Sequence, residues 1–132
     1  MPLTDTQIIF ILPRMAKAMR EPTFWILTAL AQTARHGYGI IQEVSALSEG
    51  QVTIQAGTLY AALDRLAAEG LVEVDRDERV DGRDRRYYRL TEGGATALNA
   101  EVERLGHNAR TASRQLAGRT PQPRRDLGPA TA

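Results

Sequence analysis

The pattern of hydrophobic and polar positions predicts four helices and one β-hairpin between residues 21 and 117. The clearest helix lies in the stretch from Gln55 to Gly70, where leucines recur at helical spacing and Gly70 supplies the stop signal. Its apolar side holds Leu59, Ala62, Leu63 and Leu66. Its other side holds the small or charged residues Gly57, Ala61, Asp64, Arg65 and Ala68. A short helix of this kind is buried on one side, and another molecule can approach its other side closely.

An earlier helix opens at Glu21-Pro22, because proline is well tolerated in the first turn. A helical wheel places Phe24, Leu27, Leu30, Ala31 and Ala34 on one face. Trp25 and Ala29 point nearly the opposite way, so the back of this helix needs a cover of its own. That cover is either residues 1–20, a second subunit, or a small molecule.

Between these two helices, the sequence His36-Gly37-Tyr38-Gly39 predicts a turn. A second helix follows, marked by Ile40, Ile41, Val44 and Leu47. Residues 52–54, Val-Thr-Ile, then form a brief β-type segment.

A β-hairpin is predicted after Gly70. Residues 71–79 and 85–90 pair through a turn that contains Asp81-Gly82. Alternation places Arg85 on one face of the second strand and Arg86 on the other, with Tyr88 on the side of the core.

The last helix is capped by Thr91 and carries a narrow apolar seam. The seam consists of Ala95, Leu98, Val102, Leu105, Ala109, Ala112 and Leu116. It is too long to be used entirely within so small a domain, so we expect it to form a homodimer interface.

Composition narrows the functional class. The 132 residues suit one domain, and they contain no cysteine and only two, widely separated histidines. We therefore expect no metal, no cofactor and no disulfide, and the lack of a catalytic constellation argues against an enzyme. No apolar run could span a membrane, so we expect a cytoplasmic protein. The net charge is only +1, but residues 79–89 hold five arginines against two aspartates.

Four regions follow from these patterns. Residues 1–20 form an accessory helical extension, residues 21–90 a winged helix-turn-helix domain, residues 91–117 a dimerisation helix, and residues 118–132 a disordered tail. The fold class is mainly α with a small β-hairpin wing, and a helix followed by an arginine-rich hairpin predicts DNA binding. The alternative is a winged-helix module that binds other proteins and not DNA.

Several ordered motifs resemble those of PadR-family transcriptional regulators. They are His36-Gly37-Tyr38-Gly39-Ile40, Ala56-Gly57-Thr58-Leu59-Tyr60, Glu69-Gly70-Leu71, Asp81-Gly82-Arg83 and the run from Arg85 to Thr91. The short last helix is similar to that of the smaller PadR subgroup. The resemblance implies a dimeric winged-helix factor, most often a repressor, that in some cases releases its operator when it binds a small effector.

The DNA contacts follow from position and side-chain chemistry. The expected contacts with base edges come from Gln55, Thr58, Tyr60 and Arg65. Gly57 and Ala61 have no polar reach, and their small size lets the helix backbone approach the DNA. Arg83, Arg85 and Arg86 are expected to contact phosphates or the minor groove, and Tyr38 and Gly39 a further phosphate. Alternatively, Arg65 pairs with Asp64 or Glu69, Tyr60 packs on the wing, and the wing tip is merely solvated.

A small-molecule site is predicted near the dimer axis. The candidate lining consists of Phe10, Met15, Met19, Phe24 and Trp25. The same residues would equally suit a plain dimer core, and the sequence does not identify a ligand.

Overall fold

A computed structural model describes residues 18–122. The elements, in chain order, are α1 (Glu21–Ala29), β1 (Arg35–His36), α2 (Gly37–Leu47), α3 (Ala56–Ala68), β2 (Val72–Val80), β3 (Arg83–Leu90) and α4 (Glu92–Ala117). The three strands form one antiparallel sheet in the order β1-β3-β2. The candidate effector residues Phe10 and Met15, most of the predicted extension and most of the predicted tail lie outside the described residues.

The core lies between α1, α2 and α3, and the base of the hairpin closes it. Its fully buried side chains come mainly from the apolar faces of the helices. They include Ile26, Leu27, Ile40, Val44, Leu59, Leu63, Leu66 and Val72. Tyr88 adds an aromatic ring from β3 and is 8% exposed. The apolar face predicted for α3 is therefore confirmed.

Helix α1 differs from the wheel that the sequence suggests. Ala29 and Ile26 lie in the core, whereas Ala31 is exposed. The wheel is wrong for Ala31 and Ala34 because the helix ends at Ala29, so later residues no longer follow its period. Ala29 is buried, and α1 contacts both α2 and α4.

The segment predicted as a turn is the start of α2. The imidazole Nδ1 of His36 accepts a hydrogen bond from the backbone N–H of Gly39 at 3.1 Å, which caps the helix. His36 and Arg35 also form β1, which pairs with Tyr87 and Tyr88 of β3. The predicted β-type segment at residues 52–54 is not part of the sheet, and its Ile54 is buried in the core instead.

The hairpin is confirmed, with its strands reaching closer to the turn than predicted. Asp81 and Gly82 are its two turn residues, and both have positive φ, 51° and 76°. This is the backbone of a type I′ turn, whose twist matches that of the flanking strands. A register shift between Val74 and Arg76 places Arg76 opposite Tyr87.

Helix α4 leaves the sheet through a close contact at its first turn. Thr91 caps the helix as predicted, with its hydroxyl accepting from the Gly94 N–H at 2.9 Å and donating to the Gly70 carbonyl at 2.6 Å. A Cβ on Gly94 would collide with the carbonyl oxygen of Leu71. Because that obstacle is backbone, it cannot move aside as a flexible side chain could.

We expect Gly94→Ala to lower the free energy of unfolding by about 1–3 kcal/mol, because it overpacks the junction of α4 with the hairpin. Gly57→Ala is the matched control, since no atom lies within 4 Å of a Cβ at that position. It should leave stability unchanged or raise it by up to about 1 kcal/mol. Urea unfolding at one protein concentration measures both. Equal stability of the two variants would contradict the packing described here.

Candidate nucleic-acid interface

A groove of about 420 Å³ runs between the start of α2, one side of α3 and the wing. It is lined by His36, Gly37, Tyr38, Tyr60, Arg83, Asp84, Arg85 and Arg86. Five of the predicted DNA-contacting residues, which are dispersed along the sequence, therefore share one surface. The pairing of β1 with β3 produces this arrangement, because α2 begins directly after the paired residue His36.

The outward side of α3 offers side chains and a smooth backbone to a partner. Gln55, Gly57, Thr58 and Ala61 are all exposed. Gln55 occupies the N-cap position, yet its side chain makes no capping hydrogen bond. No packing contact explains the glycine at position 57, since a Cβ there would meet no atom within 4 Å. Glycine and alanine at these positions leave room for a close approach from outside.

Tyr60 links α3 to the start of α2. Its ring is half-exposed, and a Cβ on Gly37 would lie 2.5 Å from its hydroxyl oxygen. The glycine at position 37 therefore makes room for the phenol, which lines the groove. Tyr38, 61% exposed, lines the groove beside it.

Arg65 lies in a different environment from the other predicted base readers. Its Nη2 donates to the hydroxyl of Thr23 at 2.9 Å, and its Nη1 lies 3.5 Å from a carboxylate oxygen of Glu69. These contacts connect α3 to α1 and support the ion-pair alternative that the sequence left open. Among the predicted base-contacting residues of α3, Gln55 and Thr58 are exposed on its outward side.

The backbone N–H of Gly39 does not serve as a free phosphate donor. It donates to Nδ1 of His36, and a phosphate contact at Tyr38 and Gly39 stays a prediction that would need other N–H groups at the start of α2. The pattern of residues did not reveal this cap, because histidine is not among the preferred N-cap residues.

The wing, residues 72–90, is less basic than its second strand alone suggests. Strands β2 and β3 together carry six arginines, matched in number by Asp and Glu within residues 72–90. Several arginines pair across or along the strands: Arg76 with Asp75 and Glu78, Arg86 with Asp77, and Arg89 with Glu73 and Asp75. Within residues 18–122, Arg79, Arg83 and Arg85 make no ion pair. The arginines without an ion pair therefore lie towards the tip of the wing, and two of them, Arg83 and Arg85, line the groove.

His36 is a groove residue that sequence reasoning missed. Its ring meets the ring of Tyr87 edge-on, with centroids 5.3 Å apart, and the guanidinium of Arg76 covers Tyr87 at 4.1 Å. Its Nε2 lies 2.9 Å from Nη1 of Arg85. Burial, and then the positive charge of Arg85, lower the pKa of His36 below its usual value, which favours the neutral form of the ring.

A second cavity, of about 370 Å³, lies beside the candidate effector residues. Met19, Phe24 and Trp25 line it together with Glu21, Glu101, Arg104 and Leu105. Glu101 is 4% exposed and was not predicted from the sequence. It bonds to Arg104 and accepts from the Met19 N–H at 3.2 Å, and these contacts hold the pKa of its carboxyl below the usual range. The sequence signal that could have revealed Glu101 is its position one helical turn from Leu98 and from Leu105, within the apolar seam.

Helix α4 presents most of its predicted seam to solvent. Leu98 packs against the core of its own protomer, whereas Val102, Leu105 and Leu116 are 51%, 42% and 64% exposed. The alanines of the seam, Ala95, Ala109 and Ala112, are exposed as well. Every residue from 107 to 117 is exposed, so the end of the helix contacts little else among residues 18–122.

Residues 26–100 match the model of the transcriptional regulator PadR-like family. The chain belongs to the PadR-like family of transcriptional regulators. It is 41% identical over 85 residues to the transcriptional regulator Rv3488 of Mycobacterium tuberculosis, covering 64% of this chain and 76% of that protein. The family resemblance seen in the sequence is thereby confirmed.

Solved structures show the same fold. A PadR-like transcriptional regulator from Bacillus cereus has a TM-score of 0.60 and 22% identity, covering 87% of this chain and all of that one. Bacillus subtilis PadR in complex with operator DNA has a TM-score of 0.54 and 20% identity, covering 80% of this chain and 53% of that one. The predicted winged-helix class is confirmed. Within residues 18–122 no helix is both long and apolar enough to cross a membrane.

Proposed function

We propose that this PadR-like regulator is a homodimeric repressor that binds a pseudo-palindromic DNA operator and responds to a small molecule. The observation that carries the proposal is the groove, where the start of α2, Tyr60 of α3 and the wing arginines lie together. Two further findings support it: the family is one of transcriptional regulators, and Bacillus subtilis PadR, which shares the fold, was solved with operator DNA.

In this proposal α3 enters the major groove of DNA. Gly57 and Ala61 allow its backbone to approach, and Gln55 and Thr58 reach base edges from its first turn. Glutamine can bond adenine through two hydrogen bonds, which makes Gln55 the principal base reader. Two such helices in a dimer would contact half-sites about 34–36 Å apart.

The groove residues hold the phosphate backbone beside α3. Arg83 and Arg85 contact phosphates or the minor groove, and the hydroxyl groups of Tyr38 and Tyr60 donate hydrogen bonds to phosphate oxygens. Arg86 can join them, although its Nε is 3.1 Å from a carboxylate oxygen of Asp77. Exposed pairs of this kind contribute little to stability, so a phosphate can displace the aspartate.

The dimer forms through the exposed seam of α4. An apolar strip on a helix that extends away from its own domain is typical of a helix-to-helix interface. Leu105 belongs both to this seam and to the cavity beside Trp25. A ligand in that cavity would therefore act directly on the interface, and a change in the spacing of the two α3 helices would follow.

A protein-interaction module is the second candidate, favoured by the balanced charge of the wing. The ion pairs of Arg76, Arg86 and Arg89 would make such a hairpin nearly neutral. A titration with sheared genomic DNA at two salt concentrations separates the two candidates. Binding that weakens steeply with salt supports the DNA-binding regulator, and indifference to duplex DNA at low salt supports the module.

For the wing, we expect Arg83→Ala to weaken duplex binding regardless of sequence. It should also lower the slope of log K against log salt by about 0.9, the value for one lost phosphate contact. Arg89→Ala is the matched control, because Arg89 lies on the same strand and is paired with Glu73 and Asp75. Fluorescence anisotropy at several salt concentrations measures both slopes. Identical slopes for wild type and Arg83→Ala would remove the wing tip from the interface.

For the dimer, we expect Leu116→Glu and Val102→Glu to give monomers at micromolar concentration, because each places a charge in the apolar seam. The fold of the protomer should survive, since both side chains are exposed within it. Thr111→Glu adds the same charge to an exposed position on the opposite side of α4 and serves as the control. Sedimentation velocity reports the mass. A wild-type mass of one protomer, or dimeric seam variants, would contradict this interface.

A further inference from the structure

The cap of α2 is chemically unusual for its position. N-caps are most often Ser, Thr, Asp or Asn, which accept a backbone hydrogen bond through a side-chain oxygen. This chain uses such a residue at α4, where Thr91 accepts from Gly94 at 2.9 Å. At α2 His36 accepts from Gly39 with the same three-residue spacing, at 3.1 Å. Capping alone does not require an imidazole, so it does not explain the second ring nitrogen of His36, Nε2.

The ring of His36 is held in one orientation. Its backbone pairs with Tyr87 in the sheet, and its ring meets the ring of Tyr87 at 90°. Arg76 covers that tyrosine in turn. Because Nδ1 faces Gly39, Nε2 is directed towards the groove and lies 2.9 Å from Nη1 of Arg85.

Two donors compete for the single lone pair of this ring. A neutral imidazole has one nitrogen that accepts and one that carries hydrogen, and burial and Arg85 favour the neutral form of His36. The N–H of Gly39 is fixed by the helix backbone, whereas the side chain of Arg85 can rotate. The lone pair therefore belongs on Nδ1 and the hydrogen on Nε2. The Nε2–H group then meets an N–H group of Arg85, and both lack an acceptor at their contact.

An anionic oxygen placed beside both groups would satisfy both donors once the side chain of Arg85 rotates to direct its N–H at the same oxygen. Within residues 18–122 Arg85 makes no ion pair, not even with Asp84, whose side chain lines the same groove. We infer that His36 and Arg85 together bind one phosphate group of the DNA backbone. This inference rests on the proposed function and adds a contact residue to it. Charge-assisted hydrogen bonds of this kind are the stronger ones in proteins.

A phosphate at this point would be held from two elements at once. His36 belongs to β1 and caps α2, and Arg85 belongs to the wing. The contact would fix where the DNA backbone crosses the groove, and hence the position of α3 relative to the bases. His36 would contribute a hydrogen bond and Arg85 the neutralising charge, so their substitutions should differ in salt dependence.

The test is His36→Thr, which keeps a hydroxyl at the cap, as in Thr91, and removes the Nε2–H donor together with the ring that contacts Tyr87. We expect the variant to stay folded at the assay temperature, with about tenfold weaker duplex binding and little change in salt slope. Arg85→Ala should lower the slope by about 0.9. In the Arg85→Ala background, His36→Thr should cost about twofold or less, because the two side chains share one phosphate. Additive losses, or full affinity of His36→Thr, would overturn the inference.

Nitrogen-15 NMR of the histidine rings provides a readout that needs no DNA. In the free wild-type dimer we expect the Nε2–H tautomer of His36 at pH 7. Titration with inorganic phosphate at low ionic strength should shift its Nε2 resonance in wild type and leave it unchanged in Arg85→Ala. An Nδ1–H tautomer, or no shift in wild type, would overturn the anion site. Failure of wild type to bind any duplex would instead contradict the proposed function, and the phosphate titration would still decide this inference.

Discussion

The pairing of Arg35 and His36 with Tyr88 and Tyr87 joins the hairpin to the helices. A two-stranded hairpin is marginally stable alone in water, and most of this one is polar and exposed. The third strand supplies the missing partner, and the ring of Tyr88 is inserted into the core beside it. The position of the wing therefore depends on a strand of only two residues.

Several contacts hold that short strand in place. The Nε of Arg35 donates to the carbonyl of Ala29 at 3.0 Å, and its Nη2 lies 3.5 Å from Glu43. His36 caps the next helix with its own ring. One dipeptide thus ends the connection from α1, pairs with the wing and starts α2. This is why the groove is continuous across the three elements.

Features that depend on local sequence could be predicted, and those that depend on distant partners could not. The apolar face of α3, the Asp81-Gly82 turn and the Thr91 cap follow from spacing and side-chain type within a few residues. Strand β1 is too short to show a period of two. The ion pairs that neutralise much of the wing depend on the register of β2 against β3. The contact of Arg65 with Thr23 spans 42 positions along the chain, and no local pattern encodes it.

The same distinction applies to the candidate sites. Tyr38, Tyr60, Arg83, Arg85 and Arg86 were predicted from three separate segments, and the fold brings them to one groove. His36 and Glu101 were missed because each acts through a partner far away in sequence, Arg85 in one case and the backbone of Met19 in the other.

The central claim is that α2, α3 and the wing form one DNA-binding face. Amide chemical-shift mapping of the nitrogen-15-labelled protein tests it most directly, using a duplex selected by capture and sequencing of genomic fragments. Residues 36–38, 55–61 and 83–86 should shift together with one dissociation constant, while the exposed end of α4 stays unchanged. Shifts confined to α4 and the cavity beside Trp25, with the three segments unaffected, would contradict it.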